Sequence, residues 1–184
     1  YPGSKRRHAS YIAKLIEVNA EKPEIFIEPF AGGASVSLQL LNDGIVGSIG
    51  LIDRDPLVAA FWKTVFFDAD WLVNELETID ITLENWKHFK SSNPESTRLR
   101  ALACIFLNRT SFSGIIAPRA GPIGGINQQS TYTLDCRFPR KTLIKRIRQA
   151  EKLAPKVRFV WNLSWIQGMS RIQNLIDSNS IPKN

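Results

Sequence analysis

The stretch that most constrains this chain is FIEPFAGGASVSL, residues 26–38. Ile25 to Glu28 has the character of a short buried strand, and Val36, Leu38, Leu40 and Leu41 carry an apolar pattern that predicts a helix from Ala34 to Asn42. Between them stand Pro29-Phe30 and the pair Gly32-Gly33. A glycine pair at such a junction lets the main chain turn sharply and leaves room for something to approach it. Asp43-Gly44 closes the helix, Ile49 to Ile52 predicts a second strand ending on Asp53, and Pro56 to Phe66 predicts a helix with proline in its first turn. Strand, helix, strand, helix is the order of a parallel sheet with crossover helices.

Past Asp68 the strand signals stop. Helical patterns follow around Trp71 to Leu76, Leu83 to Phe89 and Arg98 to Phe106, and then Ser111 to Thr133 is rich in glycine, proline, serine and glutamine, as in a hairpin or mobile loop. A basic helix is expected from about Lys141 to Leu153, after which Val157 to Trp161 returns to strand and Trp165 to Ile176 to helix. The expected fold class is therefore α/β, with a parallel core formed by residues 1–60 and 155–184 and a mainly helical insertion at 61–154.

At 184 residues and 43% hydrophobic composition, the chain suits one compact domain carrying such an inserted subdomain. No run approaches the ~18 apolar residues of a membrane span, and the opening YPGSKRRHAS has no apolar stretch behind its basic residues, so a soluble cytoplasmic protein is expected. Cys104, Cys136, His8 and His88 lack metal-ligand spacing, and no metal is expected. Between residues 137 and 158 stand nine cations against the single acid Glu151, a local charge of +8 where the whole chain carries +7. A patch of this kind concentrates polyanions, nucleic acid above all, although the cations also flank an apolar stripe of Leu143, Ile147 and Ala150 as any solvated helix face would.

A glycine turn after one strand and an acid at the tip of the next is how doubly wound folds hold a nucleoside. Glu28 and Asp53 are 25 residues apart, near the usual spacing of about 20. Asp53 can accept both ribose hydroxyls. The turn is not G-x-G-x-x-G, and the Glu28 carboxylate would repel a pyrophosphate while attracting a sulfonium or ammonium group. That chemistry favours S-adenosylmethionine over NAD, with a purely structural turn capped by Glu28 as the plainer reading.

These residues resemble the cofactor motif V-E-P-F-x-G-G/A-x-S-V of the D12 class of adenine-N6 DNA methyltransferases, the group that includes the Dam enzymes. Tyr1-Pro2-Gly3-Ser4-Lys5 resembles the family's W/Y-x-G-G/S-K, Leu51-Ile52-Asp53-Arg54-Asp55 its acidic strand end, and the run Leu107 to Gly114 its L-N-R-x-x-F/Y-N-G block. Ser113 departs from the usual asparagine. The resemblance implies a Rossmann-like S-adenosylmethionine-dependent core with a target-recognition insertion. It implies Tyr1, Lys5 and Asp53 as cofactor contacts and Glu28, Phe30, Gly32 and Gly33 as residues shaping the pocket. It implies double-stranded DNA as partner, with the basic patch on phosphates and the 111–133 loop on bases. Asn108 and Arg109 belong to the implied DNA-binding set and also suit bracing of the loop. Arg119 is the best loop candidate for a base-edge or phosphate contact, Arg137 the next, and Phe112 is expected to be packed rather than to act as a wedge.

The family grips its flipped adenine with D/N-P-P-Y/F/W, and this chain has no Pro-Pro pair. Asp55-Pro56 runs on into Leu57-Val58 beside the ribose acid and is a poor substitute. The chain also begins without methionine inside the first motif, which leads to the expectation of an inactive fragment whose catalytic loop lies downstream. The alternatives are a noncatalytic DNA-binding protein of the same fold, and an RNA methyltransferase or NAD-binding enzyme.

Overall fold

The computed structural model of the chain describes residues 5–19 and 22–178. Residues 5–59 and 152–178 form one compact unit, the sheet unit, and residues 60–151 form another, the helical unit.

In the sheet unit, β1 (Ile25–Glu28), β2 (Ser48–Asp53) and β3 (Val157–Asn162) form a parallel sheet in the order β1-β2-β3. Ile49, Leu51 and Ile52 of β2 are fully buried, as befits a central strand covered on both faces. Among the described residues, the α-helices α1 (Ala9–Asn19), α2 (Ser35–Asn42) and, after β3, α8 (Trp165–Asp177) lie wholly in this unit. Helix α8 starts in a capping box, with Ser164 accepting from the Gln167 N–H and the Gln167 side chain accepting from the Ser164 N–H. It sits close on β2 because residue 168 is glycine: a Cβ there would lie 2.6 Å from Ile52 Cδ1. On β3, Phe159 and Trp161 stack at 3.7 Å, and the Arg171 guanidinium lies 4.4 Å over the Trp161 ring.

Helix α1 has no counterpart among the expected elements. Its buried Ala9 and half-buried Ile12, Ala13 and Ile16 follow the spacing of one helix face, while Tyr11, Leu15 and Val18 are exposed beside it. Exposed apolar residues beside a stripe half made of alanine blur the periodicity that would mark the helix in sequence. The remaining sheet-unit elements lie within two residues of their expected positions.

The boundary between the units falls within α3 (Pro56–Phe67). The helical unit continues with α4 (Ala69–Thr78), α5 (Leu83–Ser91), α6 (Thr97–Thr110) and α7 (Arg140–Glu151). Thr82 and Ser96 cap α5 and α6 by accepting the Asn85 and Leu99 N–H groups. Helix α6 is the centre: every residue from 101 to 107 is buried, and Phe106 lies between Phe89 at 4.9 Å and Phe138 at 6.0 Å. For residues 111–133 the sequence predicts a hairpin or a mobile loop. Between α6 and α7 the described residues hold one isolated antiparallel bridge, Ser111 to Pro122, within a succession of turns.

Candidate functional site

The strand tips of the sheet unit converge on Asp53. Past β1 the Ala31 N–H donates to Ile52 O at 3.0 Å, and the chain then turns through Gly32 (φ +47°) and Ala34 (φ +46°) into α2. The left-handed backbone at 32 suits glycine; at Ala34 it is uncommon for a residue with a side chain. This turn aims the Gly32 N–H at Asp53 Oδ2, 2.8 Å away, while Asp53 Oδ1 accepts the Asp55 N–H at 2.9 Å. Lys5 Nζ stands 3.5 Å from Phe30 O, and the Phe30 ring is 59% exposed. Lys5, Phe30, Gly32 and Asp53 thus meet at one place, with Gly33 in the same turn. Tyr1 lies outside the described residues.

Glu28 lies just inside this turn and is buried. Its Oε2 accepts the Ser37 hydroxyl at 2.6 Å and the Ser37 N–H at 3.2 Å. Ala34, at the N-cap of α2, offers no side-chain cap, so a carboxylate from β1 performs that task and complements the positive end of the helix. The capping expected in the plainer reading of Glu28 is therefore present. Burial pushes the Glu28 carboxyl above its usual range, the two Ser37 bonds and Lys5 pull it back, and the charge of Asp53 adds to the rise. Asp55, whose Oδ1 accepts the Leu57 N–H at 2.9 Å, is also raised, first by burial, with Asp53 contributing. Three carboxyl groups, with the Lys5 ammonium acting on Glu28, make an acidic locus around the glycine turn. Such a locus suits a nucleoside carrying a cationic group and opposes a pyrophosphate.

Residues 1–157 match the D12 class N6 adenine-specific DNA methyltransferase family. The chain belongs to that family. No curated protein shows a significant match to it. Membership supports an adenine-N6 DNA methyltransferase acting on DNA, and methyltransferases of this kind normally use S-adenosylmethionine. Among the described residues, no group of three His, Cys, Asp or Glu side chains is arranged to hold a metal, and no helix is long and apolar enough to cross a membrane.

In the helical unit, the long loop after α6 is tied down by side chains that reach main-chain carbonyls. Asn108 Nδ2 donates to Gly114 O at 2.8 Å and Arg109 Nε to Arg137 O at 2.5 Å, so both act as braces within the protein. Lys90 Nζ donates to Ala117 O at 2.5 Å, Trp86 Nε1 to the buried Ser111 hydroxyl at 3.0 Å, and Gln128 Nε2 to Ile123 O at 2.7 Å. Sequence reading missed Trp86, Lys90 and Gln128. Trp86 and Lys90 reach partners 25 and 27 residues away, beyond any local pattern.

The loop presents Arg119 and Arg137 exposed, together with Phe112. Phe112 corrects the expectation of buried packing: it is 68% exposed, thrown outward by the turn in which Ser113 (φ +54°) and Gly114 (φ +70°) take left-handed backbone. Of the cations on α7, Arg140 binds the carbonyls of Leu76 and Ile79 at the end of α4, and Arg148 pairs with Asp70 at 2.6 Å and Glu151 at 3.0 Å. Lys141, Lys145 and Arg146 are exposed and make no ion pair among the described residues. Burial, then the like charges of Arg137 and Arg146, pushes the Arg109 guanidinium below its usual range.

Proposed function

We propose that the chain binds S-adenosylmethionine at the tips of β1 and β2, turns the loop after α6 and the exposed face of α7 toward duplex DNA, and serves methyl transfer to adenine N6. The observation that carries the cofactor reading is the 2.8 Å bond from the Gly32 N–H to Asp53 Oδ2, which gathers an opened main chain and an acidic strand tip at one point. When bound, the cofactor supplies an electrophilic methyl group on a sulfonium. Asp53 holds the ribose hydroxyls, the negative locus of Glu28, Asp53 and Asp55 favours the cationic end, and Lys5 and Phe30 border the turn. In-line transfer to an amine needs alignment and desolvation rather than a metal.

In this reading residues 61–154 are the target-recognition insertion of a Rossmann-like core. Arg137, Lys141, Lys145 and Arg146 neutralise phosphates, Arg119 reaches a phosphate or base edge, and Phe112 acts as an apolar wedge between bases. Asn108 and Arg109 contribute by holding that loop in shape. The test is calorimetric titration with S-adenosylmethionine. Asp53→Ala is expected to lose affinity by tenfold or more, on the order of one charge-assisted hydrogen bond; equal affinity for the variant and the natural chain would falsify the cofactor site.

One observation favours a second reading, a noncatalytic DNA-binding protein of the same fold. No Pro-Pro pair occurs in the 184 residues, and Asp55-Pro56 serves as a helix start, with Asp55 capping the Leu57 N–H. Incorporation of labelled methyl into duplex DNA separates the two readings: incorporation that depends on the protein supports the enzyme, and duplex binding without incorporation supports the binder.

A further inference from the structure

Asn162, the last residue of β3, pairs in register with Asp53. Its side-chain Nδ2 donates to two consecutive carbonyls, Asp53 O at 3.0 Å and Arg54 O at 2.9 Å. Asp53 O also accepts the Leu163 N–H at 3.2 Å, so both of its lone pairs are engaged. Successive carbonyls of an extended strand point in opposite directions, and one amide cannot serve both unless the chain bends. Asn162 therefore holds the bend with which β2 ends. The same bend brings the Asp55 N–H onto Asp53 Oδ1 and leaves Oδ2 to the Gly32 N–H. All three strand tips are joined through one residue.

We propose that Asn162 is a positioning residue for Asp53: by fixing the main chain at residues 53 and 54 it aims the Asp53 carboxylate at the ribose hydroxyls of the cofactor. The proposal rests on the cofactor reading above. The role requires a donor that bridges two carbonyls, which aspartate cannot supply and serine can supply to at most one of them. Small errors of placement weaken oriented contacts severely, on the order of tenfold to a hundredfold.

The experiment measures, for the full chain and its variants, affinity for S-adenosylhomocysteine and for an analogue lacking both ribose hydroxyls. In the natural chain the analogue binds more weakly. Asn162→Ala is expected to weaken S-adenosylhomocysteine about tenfold and the analogue hardly at all, so that the ratio of the two affinities falls toward one. A merely structural asparagine would weaken both alike, and an unchanged ratio overturns the proposal. Should the alanine variant not fold, Asn162→Ser carries the same test with a smaller expected fall in the ratio. A ligand-free arm follows hydrogen exchange of the Gly32 amide, which is expected to quicken in either variant; unchanged protection also overturns the proposal. Asp53→Ala separates the two levels of inference. If it binds both ligands as tightly as the natural chain, the cofactor reading falls, whereas if it loses discrimination while the Asn162 variants keep it, only the role of Asn162 falls.

Discussion

In the sheet unit Asp53 is held by main-chain N–H groups, those of Gly32 and Asp55, whereas in the helical unit the loop after α6 is held by side chains of Trp86, Lys90, Asn108 and Arg109 reaching across to it. The first arrangement uses main-chain donors at a strand tip, so the single side chains on which it depends are few, Asp53 itself and Asn162 beside it. The second depends on individual side chains, each of which one substitution can remove. The two regions also differ in sign: three carboxyl groups gather at the strand tips, while Arg119, Arg137, Lys141, Lys145 and Arg146 face solvent in the other unit. A core of this kind can keep one strand-tip geometry while the exposed surface of the helical unit is altered residue by residue.

The largest expected effect breaks the helical side of this comparison. Phe106→Ala removes a fully buried ring packed between the tilted rings of Phe89 and Phe138 and is expected to lower stability by about 3–5 kcal/mol, read by denaturant unfolding. Trp86→Phe keeps an aromatic ring, though a smaller one, and leaves the buried Ser111 hydroxyl without its donor. A loss of about 1–3 kcal/mol is expected, with faster proteolysis inside residues 111–135; unchanged cleavage would show that the loop is held by other means.

Glu28→Gln probes the sheet side. Burial raises the Glu28 carboxyl in the folded state, so the stability linked to that group is full below the ordinary glutamate range and is lost as pH rises through the elevated folded value. At pH 7 the glutamine variant, which still accepts from Ser37, is expected to melt a few degrees higher, the shift that about 1 kcal/mol produces in a domain of this size. Its melting point should also vary less between pH 4 and 7. Weaker binding of S-adenosylmethionine in the same variant is the expected sign that the carboxylate attracts the cationic end. The smallest effect on stability belongs to Lys145→Ala, within about 0.5 kcal/mol, whereas the salt dependence of duplex binding should flatten by about one unit of slope. An unaltered slope removes Lys145 from the phosphate surface.

Much of the sheet unit could be read from the chain because its signals are local. The strand Ile25 to Glu28, the glycine turn and the acid at residue 53 each declare themselves within a few residues, and parallel pairing follows from the helices between them. Helix α1 escaped because its inward face, Ala9, Ile12, Ala13 and Ile16, is half alanine and is flanked by the exposed apolar residues Tyr11, Leu15 and Val18. In the helical unit the helices were legible through their periodicity, but the state of each cation was not. Arg140, Arg148 and Lys145 look alike in sequence, yet Arg140 caps α4, Arg148 pairs with Asp70 and Glu151, and Lys145 is left to solvent.

The amino-acid order alone determined the alternation of strand and helix, the sharp turn at Gly32-Gly33 and the placing of Asp53 at a strand end, because backbone preference and apolar periodicity act over a few neighbouring residues. Tertiary structure decided that Glu28 would cap α2, that Phe112 would stand in solvent, and that Asn162 would hold the bend beside Asp53. Those outcomes depend on which hydrogen-bonding groups meet once distant segments lie together, and no local preference encodes that meeting.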